Sequence, residues 1–173
     1  MKFKILLITT SMISLASAAD IQAVGFSGGD GNTETALNVV LNGINSAKSS
    51  IDVLAYSFSS KPIATALVNA AKRGVKVRIV ADNDQNSRAY SAINYTANNS
   101  IDSKLNSNYQ DFHNKVMIID SKCVETGSFN YSASAANKNA ENAIIICDKG
   151  LAQIYQNQFN RWYSQAQPVN KNY

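Results

Sequence analysis

Ser50-Ile51-Asp52-Val53-Leu54-Ala55-Tyr56 is followed by Ser60-Lys61-Pro62 and an alanine-rich run to Arg73-Gly74, and then at once by Val75-Lys76-Val77-Arg78-Ile79-Val80-Ala81. The first piece is apolar at almost every position, as in a strand buried on both faces. Ser60 and Pro62 mark a helix start, because proline in the first turn gives up only an amide hydrogen that has no partner there. Gly74 stops the helix near residue 73. Strand, helix and strand in so short a length predict a right-handed crossover and a parallel pair.

Working outward, residues 21–26 read as a strand, 27–32 as a glycine-rich loop, and 33–47 as a helix on which Leu37, Val40, Leu41 and Ile44 recur at helical spacing. Residues 86–98 read as a polar helix, 101–105 as a short strand and 106–111 as a connection. Residues 115–119 and 122–125 form a hairpin around Asp120-Ser121. Residues 143–147 give a further buried strand. A closing helix over 151–163 carries Ile154, Tyr155, Phe159 and Trp162 as its core-facing stripe. The alternation predicts an α/β protein, a layered mixed sheet with helices on both faces. No internal repeat is visible.

The chain has 173 residues, 45% hydrophobic and 16% charged, so one globular domain with a sizeable core is expected and disorder is not. The first twenty residues, MKFKILLITTSMISLASAAD, place Lys2 and Lys4 before an apolar run that ends in Ala16-Ser17-Ala18. That pattern predicts a signal peptide over 1–18 and an exported, periplasmic or secreted domain over 19–173. Removing two lysines lowers the formal charge from +4 to +2 (4 − 2), too little to identify a nucleic-acid partner by itself. Cys123 and Cys147, the two cysteines, fit one disulfide in an oxidising compartment, with two buried thiols as the alternative. Both fall in strands expected to lie close to the site.

Chemistry concentrates around the single histidine, in Phe112-His113-Asn114-Lys115-Val116-Met117-Ile118-Ile119-Asp120, of the form H-x-K-x4-D. On an extended strand His113 and Lys115 share a face, placing a nucleophile beside a cation. Gly127-Ser128-Phe129-Asn130 follows as G-S-x-N, and Glu141-Asn142 opens the next strand. A lone histidine is usually a surface or core residue, but this company favours catalysis. Asp82, Asn83 and Asp84 read as a polar connection and not a cation loop. One histidine and scattered carboxylates offer no metal-ligand spacing, so no metal and no cofactor are expected. Lys72, Arg73, Lys76 and Arg78 form a basic run that serves equally well as a solvated edge or as a guide for DNA.

H-x-K-x4-D, then G-S-x-N, then E-N, resembles the phospholipase D superfamily, and in particular its small single-motif bacterial secreted endonucleases. Ser46-Ala47-Lys48-Ser49-Ser50-Ile51, Ala55-Tyr56-Ser57-Phe58 and Val124-Glu125-Thr126-Gly127-Ser128-Phe129-Asn130-Tyr131 extend the likeness over nearly all of the chain after residue 18. The cysteine pair is outside that pattern. The resemblance implies metal-independent phosphodiester hydrolysis through a phosphohistidine on His113, with Lys115 and Asn130 on the phosphate oxygens and Ser128 either bonding a phosphate oxygen or supporting the neighbouring motif residues. In the superfamily a second histidine comes from a second motif copy. This chain has none, so the resemblance implies a homodimer sharing one site. Glu141 is expected to accept from the other nitrogen of the imidazole. Asp120 is expected either to take part directly or to bond structurally at the strand end. DNA is the expected substrate, with RNA also admitted. A lipid phosphodiesterase and a noncatalytic DNA-binding protein for uptake or transfer are the competing readings.

Overall fold

The computed structural model describes residues 19–28, 34–87 and 91–169. The expected signal segment at 1–18 and most of the glycine-rich loop lie outside the described residues. In chain order the elements are β1 (Asp20–Ser27), α1 (Ala36–Ser46), β2 (Ser50–Ala55), α2 (Lys61–Lys72), β3 (Lys76–Asp82), α3 (Asn83–Asn86), α4 (Ala92–Asn98), β4 (Asp102–Asn106), β5 (Lys115–Ile119), β6 (Cys123–Gly127), α5 (Ala133–Asn137), β7 (Glu141–Cys147), α6 (Lys149–Gln165) and β8 (Gln167–Pro168).

The strands make one mixed sheet in the order β1-β7-β6-β5-β2-β3-β4-β8. The predicted crossover is present: β2 and β3 pair in parallel from Ser50↔Lys76 to Ala55↔Ala81. Ser60 caps α2, with its side chain accepting from the Ile63 amide, and Gly74 follows at φ +90°. The turn of the β5–β6 hairpin places Asp120 and Ser121 at φ 54° and 53°, and the Lys122 amide donates to the Ile119 carbonyl.

Strand alternation sends Ile51, Val53, Met117, Ile119, Ala143 and Ile145 into one apolar layer under α1, α2 and α4. Leu54, Val116, Ile118 and Val124 go to the other face, where α6 contributes Ala152 and Phe159. Helices therefore cover both faces.

Three sequence expectations change. The helix expected over 86–98 is broken, because Asn86 is buried and not a surface residue. Its amide donates to the carbonyls of Tyr56 and Asp82 and accepts from the Phe58 amide, so the chain is tied to the loop after β2 at that point. The stripe on α6 is only partly core: Phe159 is fully buried, but Ile154 is 68% exposed, while α6 packs mainly over β2, β4, β5 and β6. Finally, β8, a two-residue edge strand, closes the sheet beside β4, too short to carry a periodic signal.

Cys123 and Cys147 face each other across β6 and β7 and are joined as a disulfide. They are not close to the site. They sit at the Asp120 end of the hairpin, where Ile119 pairs with Cys123, whereas Lys115, Ser128 and Glu141 gather at the other end of the same strands.

Candidate active site

Lys115 opens β5, and its partner in β2 is Ala55, the last residue of that strand. The loop that delivers His113 is fixed from the β3 side. The carboxylate of Asp82 caps α3 through the Gln85 amide at 2.8 Å and accepts from the Phe112 amide at 2.8 Å. Phe112 is buried and packs edge-on against Trp162 at 5.2 Å between ring centroids. His113 thus precedes the strand and is not on it. Its convergence with Lys115 comes from the loop and not from strand alternation.

The convergence itself is close. Lys115 Nζ lies 3.3 Å from His113 Nδ1 and 3.2 Å from Nε2. The histidine is exposed, whereas the lysine is only 9% exposed. Burial pulls the Lys115 ammonium below its ordinary value, with the charge of Glu141 acting against that shift. An anion arriving in this pocket would favour the charged form of the lysine, as an opposite charge nearby does.

His113, Asn114, Lys115, Thr126, Gly127, Ser128, Asn130, Glu141 and Tyr155 line one open pocket of about 480 Å³. Gly127 allows β6 to pass close to β7, since a Cβ there would overlap the carbonyl oxygen of Asn142. The Thr126 hydroxyl donates to the Lys115 carbonyl at 3.1 Å and ties β6 to β5. Asn130 holds a buried Oδ1 with no hydrogen-bond partner among the described residues, a polar group in want of a ligand or of an exchanged amide orientation.

The other expected site residues behave differently. Ser128 gives its proton to Glu141, and its oxygen accepts from the Asn142 amide at 3.1 Å, so within one chain the hydroxyl supports its motif neighbours at the pocket wall. Glu141 also accepts from Asn139 at 2.8 Å. Within one chain its carboxylate is therefore taken by Ser128 and Asn139, and the expected bond from His113 is not formed. Asp120 is at the opposite end of β5 from Lys115. Its carboxylate accepts from the amides of Lys48, Ser49 and Ser50 and from the Ser49 hydroxyl. Burial opposes its ionisation, but these bonds prevail and hold the carboxyl below its ordinary value. These bonds tie the hairpin to the turn that enters β2, at the end of β5 away from Lys115.

The basic run is likewise remote. Lys76 pairs with Ser50 at the far end of β2. Arg73 reaches the carbonyls of Ile44 and Asn45. Arg78 forms a two-pronged bond to Asp52 at 2.7 and 2.6 Å beneath the rings of Phe159 and Tyr163. Sequence reading missed Tyr56, whose ring lies 4.4 Å from that of His113. Its position just past β2, in Ala55-Tyr56-Ser57-Phe58, was the available signal.

No group of three or more His, Cys, Asp or Glu side chains able to hold a metal occurs among the described residues. Among the same residues, no helix is long and apolar enough to cross a membrane.

Comparison with known proteins agrees with this layout. Residues 40–163 match the family model described as "Cardiolipin synthase, PLD-like domain". A protein named phospholipase D from Rickettsia conorii is 46% identical over 123 residues, which cover 70% of this chain and 62% of the relative. The match thus spans less than two thirds of that relative's length. Among solved structures, Nuc from Salmonella typhimurium, described as a phospholipase D family member, superposes with a TM-score of 0.83 at 40% identity, covering 89% of this chain and 100% of Nuc. NucT from Helicobacter pylori gives 0.70 at 29%, covering 78% and 91%. With its one H-x-K-x4-D motif set at the end of a mixed eight-stranded sheet, the chain belongs to the phospholipase D superfamily as a single-motif member.

Proposed function

We propose that the protein hydrolyses phosphodiester bonds in DNA without needing a metal ion, and that two copies share one active site. The observation that carries this reading is the exposed His113 ring held 3.2–3.3 Å from the buried Lys115 ammonium in an open pocket, in a chain with only one histidine. A phosphodiester is anionic and its leaving alkoxide is poor, so cleavage requires charge neutralisation, an in-line nucleophile and a proton for the leaving oxygen. Lys115 supplies the charge, and Asn130 the amide, for the nonbridging oxygens.

In the proposed reaction a nitrogen of neutral His113 attacks phosphorus. The P–N bond forms as the P–O bond to the leaving oxygen breaks, and the imidazolium of a second copy gives that oxygen its proton. That second imidazole, now neutral, takes a proton from water as water attacks phosphorus and the P–N bond breaks. The enzyme returns to its starting protonation. The proposed chemistry needs one neutral and one protonated imidazole across the pair. Glu141, free to exchange Ser128 or Asn139 for an imidazole, is available to a histidine arriving from the second copy.

Exposed apolar side chains support pairing. Phe26, opposite Asn142 in the β1–β7 ladder, is 46% exposed, Val24 is 42% exposed and Ile154 is 68% exposed. A second copy would cover them. Export follows as part of the same proposal, from the lysine-led apolar segment at 1–18 and from the Cys123–Cys147 disulfide.

A lipid phosphodiester is the second reading, favoured by the names of the Rickettsia relative and of the matching family model. Purified protein is given plasmid DNA in one assay and phosphatidylcholine or cardiolipin vesicles in another, both in excess EDTA. DNA cleavage that is lost in His113→Ala, while DNA binding survives, is the expected result. Headgroup release without DNA cleavage would move the assignment to lipid. Wild-type binding with no cleavage of either substrate would leave a DNA-binding protein, and strict dependence on magnesium would overturn the metal-independent chemistry.

A further inference from the structure

Tyr56 touches the two groups that the proposed chemistry requires. Its ring centroid is 4.4 Å from that of His113, tilted by 58°, and Lys115 Nζ is 5.0 Å from the same ring. His113 itself has little else to orient it. The histidine is exposed, and its side-chain hydrogen bonding among the described residues is confined to the lysine ammonium, roughly equidistant from its two ring nitrogens. A single donor so placed can satisfy one nitrogen of a neutral imidazole but does not fix the plane of the ring.

Tyr56, in contrast, is anchored at three points. Its amide donates to the Asn114 carbonyl at 2.7 Å. Its carbonyl accepts from the buried Asn86 amide at 2.6 Å. Its hydroxyl donates to Asp111 Oδ1 at 2.9 Å. The first and third bonds reach the residue after the histidine and the residue two before it, so one tyrosine clasps the nucleophile loop from both sides and lays its ring against the imidazole between them. The hydrogen bond to Asp111 also raises the Tyr56 phenol above its ordinary value, so the hydroxyl keeps the proton that the clasp needs through the neutral range.

We infer that Tyr56 is a positioning residue that sets the orientation of the His113 imidazole, through ring contact and through its hydroxyl bond to Asp111. The ring gives the imidazole a wall, and its π face is turned toward the Lys115 cation, an arrangement that is favourable in itself. The kinetic part of the inference rests on the phosphodiesterase reading. The structural part does not.

The single histidine makes the test clean. In the untagged full chain, the imidazole gives one set of NMR resonances. Tyr56→Leu removes the ring and the hydroxyl, and Tyr56→Phe removes the hydroxyl alone. The imidazole Hε1 and Hδ2 signals are expected to leave their wild-type positions in Tyr56→Leu, as the neighbouring ring is lost, and to move by a smaller amount in Tyr56→Phe, where the ring stays and the bond to Asp111 is gone. With DNA as substrate, misorientation of the nucleophile should lower kcat by about 10- to 100-fold in Tyr56→Leu with KM little changed, and by a smaller but measurable factor of about 3 to 10 in Tyr56→Phe.

Unmoved imidazole signals in a folded Tyr56→Leu protein would overturn the inference, as would unchanged kcat or a loss carried entirely by KM. If the signals move in Tyr56→Phe, which keeps the ring and its current, but the wild type cleaves no phosphodiester, the positioning role stands and the functional reading falls. Should Tyr56→Leu fail to fold, Tyr56→Phe, Asp111→Ala and the double variant decide the question. The two single losses in kcat are then expected to be non-additive, as for partners in one bond, and full additivity would contradict the clasp.

Discussion

Glu125 lies in the middle of β6, 1% exposed, and accepts a 2.7 Å hydrogen bond from the equally buried Tyr131 hydroxyl. Burial pushes its carboxyl up from 4.5 to about 8, although the bond from Tyr131 acts in the opposite direction. Between these two values the folded chain keeps a proton that the unfolded chain releases. The stability tied to that proton is complete below about pH 4.5, falls as pH rises, and is gone above about pH 8. The slope is about 1.4 kcal/mol per pH unit, or about 3 kcal/mol between about pH 5 and about pH 7.5. Glutamine keeps an oxygen for Tyr131 and removes the titration. Its extra amide hydrogen costs about 1 kcal/mol, so Glu125→Gln should be slightly less stable than wild type near pH 5 and clearly more stable near pH 7.5. Urea unfolding at a series of pH values, with the disulfide intact, measures both curves. The difference between them cancels contributions from other titrating groups that the substitution leaves alone. Parallel curves over this interval would refute a buried, protonated Glu125.

Asp120→Ala should lower stability by about 1–3 kcal/mol, because the amides of Lys48, Ser49 and Ser50 lose their acceptor, while leaving kcat near wild type at temperatures where the variant stays folded. A matching loss of kcat would mean that this motif aspartate serves the chemistry after all. In wild type the carboxyl of Asp120 is held low, so its contribution to stability is present above its unfolded value and disappears as pH falls through the folded one. Acid titration of wild type against Asp120→Asn, followed by circular dichroism, checks that direction. Replacing Cys123 and Cys147 together by serine should cost about 2–4 kcal/mol for a cross-link of 24 residues' separation and leave KM unchanged, because the bond sits at the end of the sheet away from the pocket. A large KM change in the folded variant would show coupling between the two ends.

The parts of this fold that were legible in sequence are those set by local chemistry. Ser60, Pro62 and Gly74 bracket α2, and β2 and β3 announce themselves as buried strands because both of their faces are covered. The meeting of His113 and Lys115 was also legible, though for a different reason: the loop held by Asp82 brings the ring back over the strand end. What sequence could not give depends on contacts between distant segments. Asp120 belongs to the motif by spacing, but a strand of five residues carries it to the opposite rim, where the 48–50 amides await it. Asn86 reads as a surface residue until its four-way bonding to Tyr56, Asp82, Phe58 and Ser91 is seen. Ser128 was expected either on a phosphate oxygen or in support of its neighbours and Glu141 on the imidazole, and the close approach of β6 and β7 at Gly127 brings the two together. Ile154 follows helical periodicity faithfully, yet it stands exposed on α6 while Phe159 of the same stripe is buried.

Subunit mixing addresses the shared site most directly. Wild-type and His113→Ala chains are combined in equal amounts, unfolded and refolded together so that they exchange, and assayed on DNA in excess EDTA at a fixed total concentration. If each site needs one imidazole from each copy, random pairing leaves wild-type pairs as about one quarter of the dimers, and activity should fall to about one quarter of the wild-type value. Activity that falls only to about one half, in proportion to the wild-type chains present, would show that each His113 works alone.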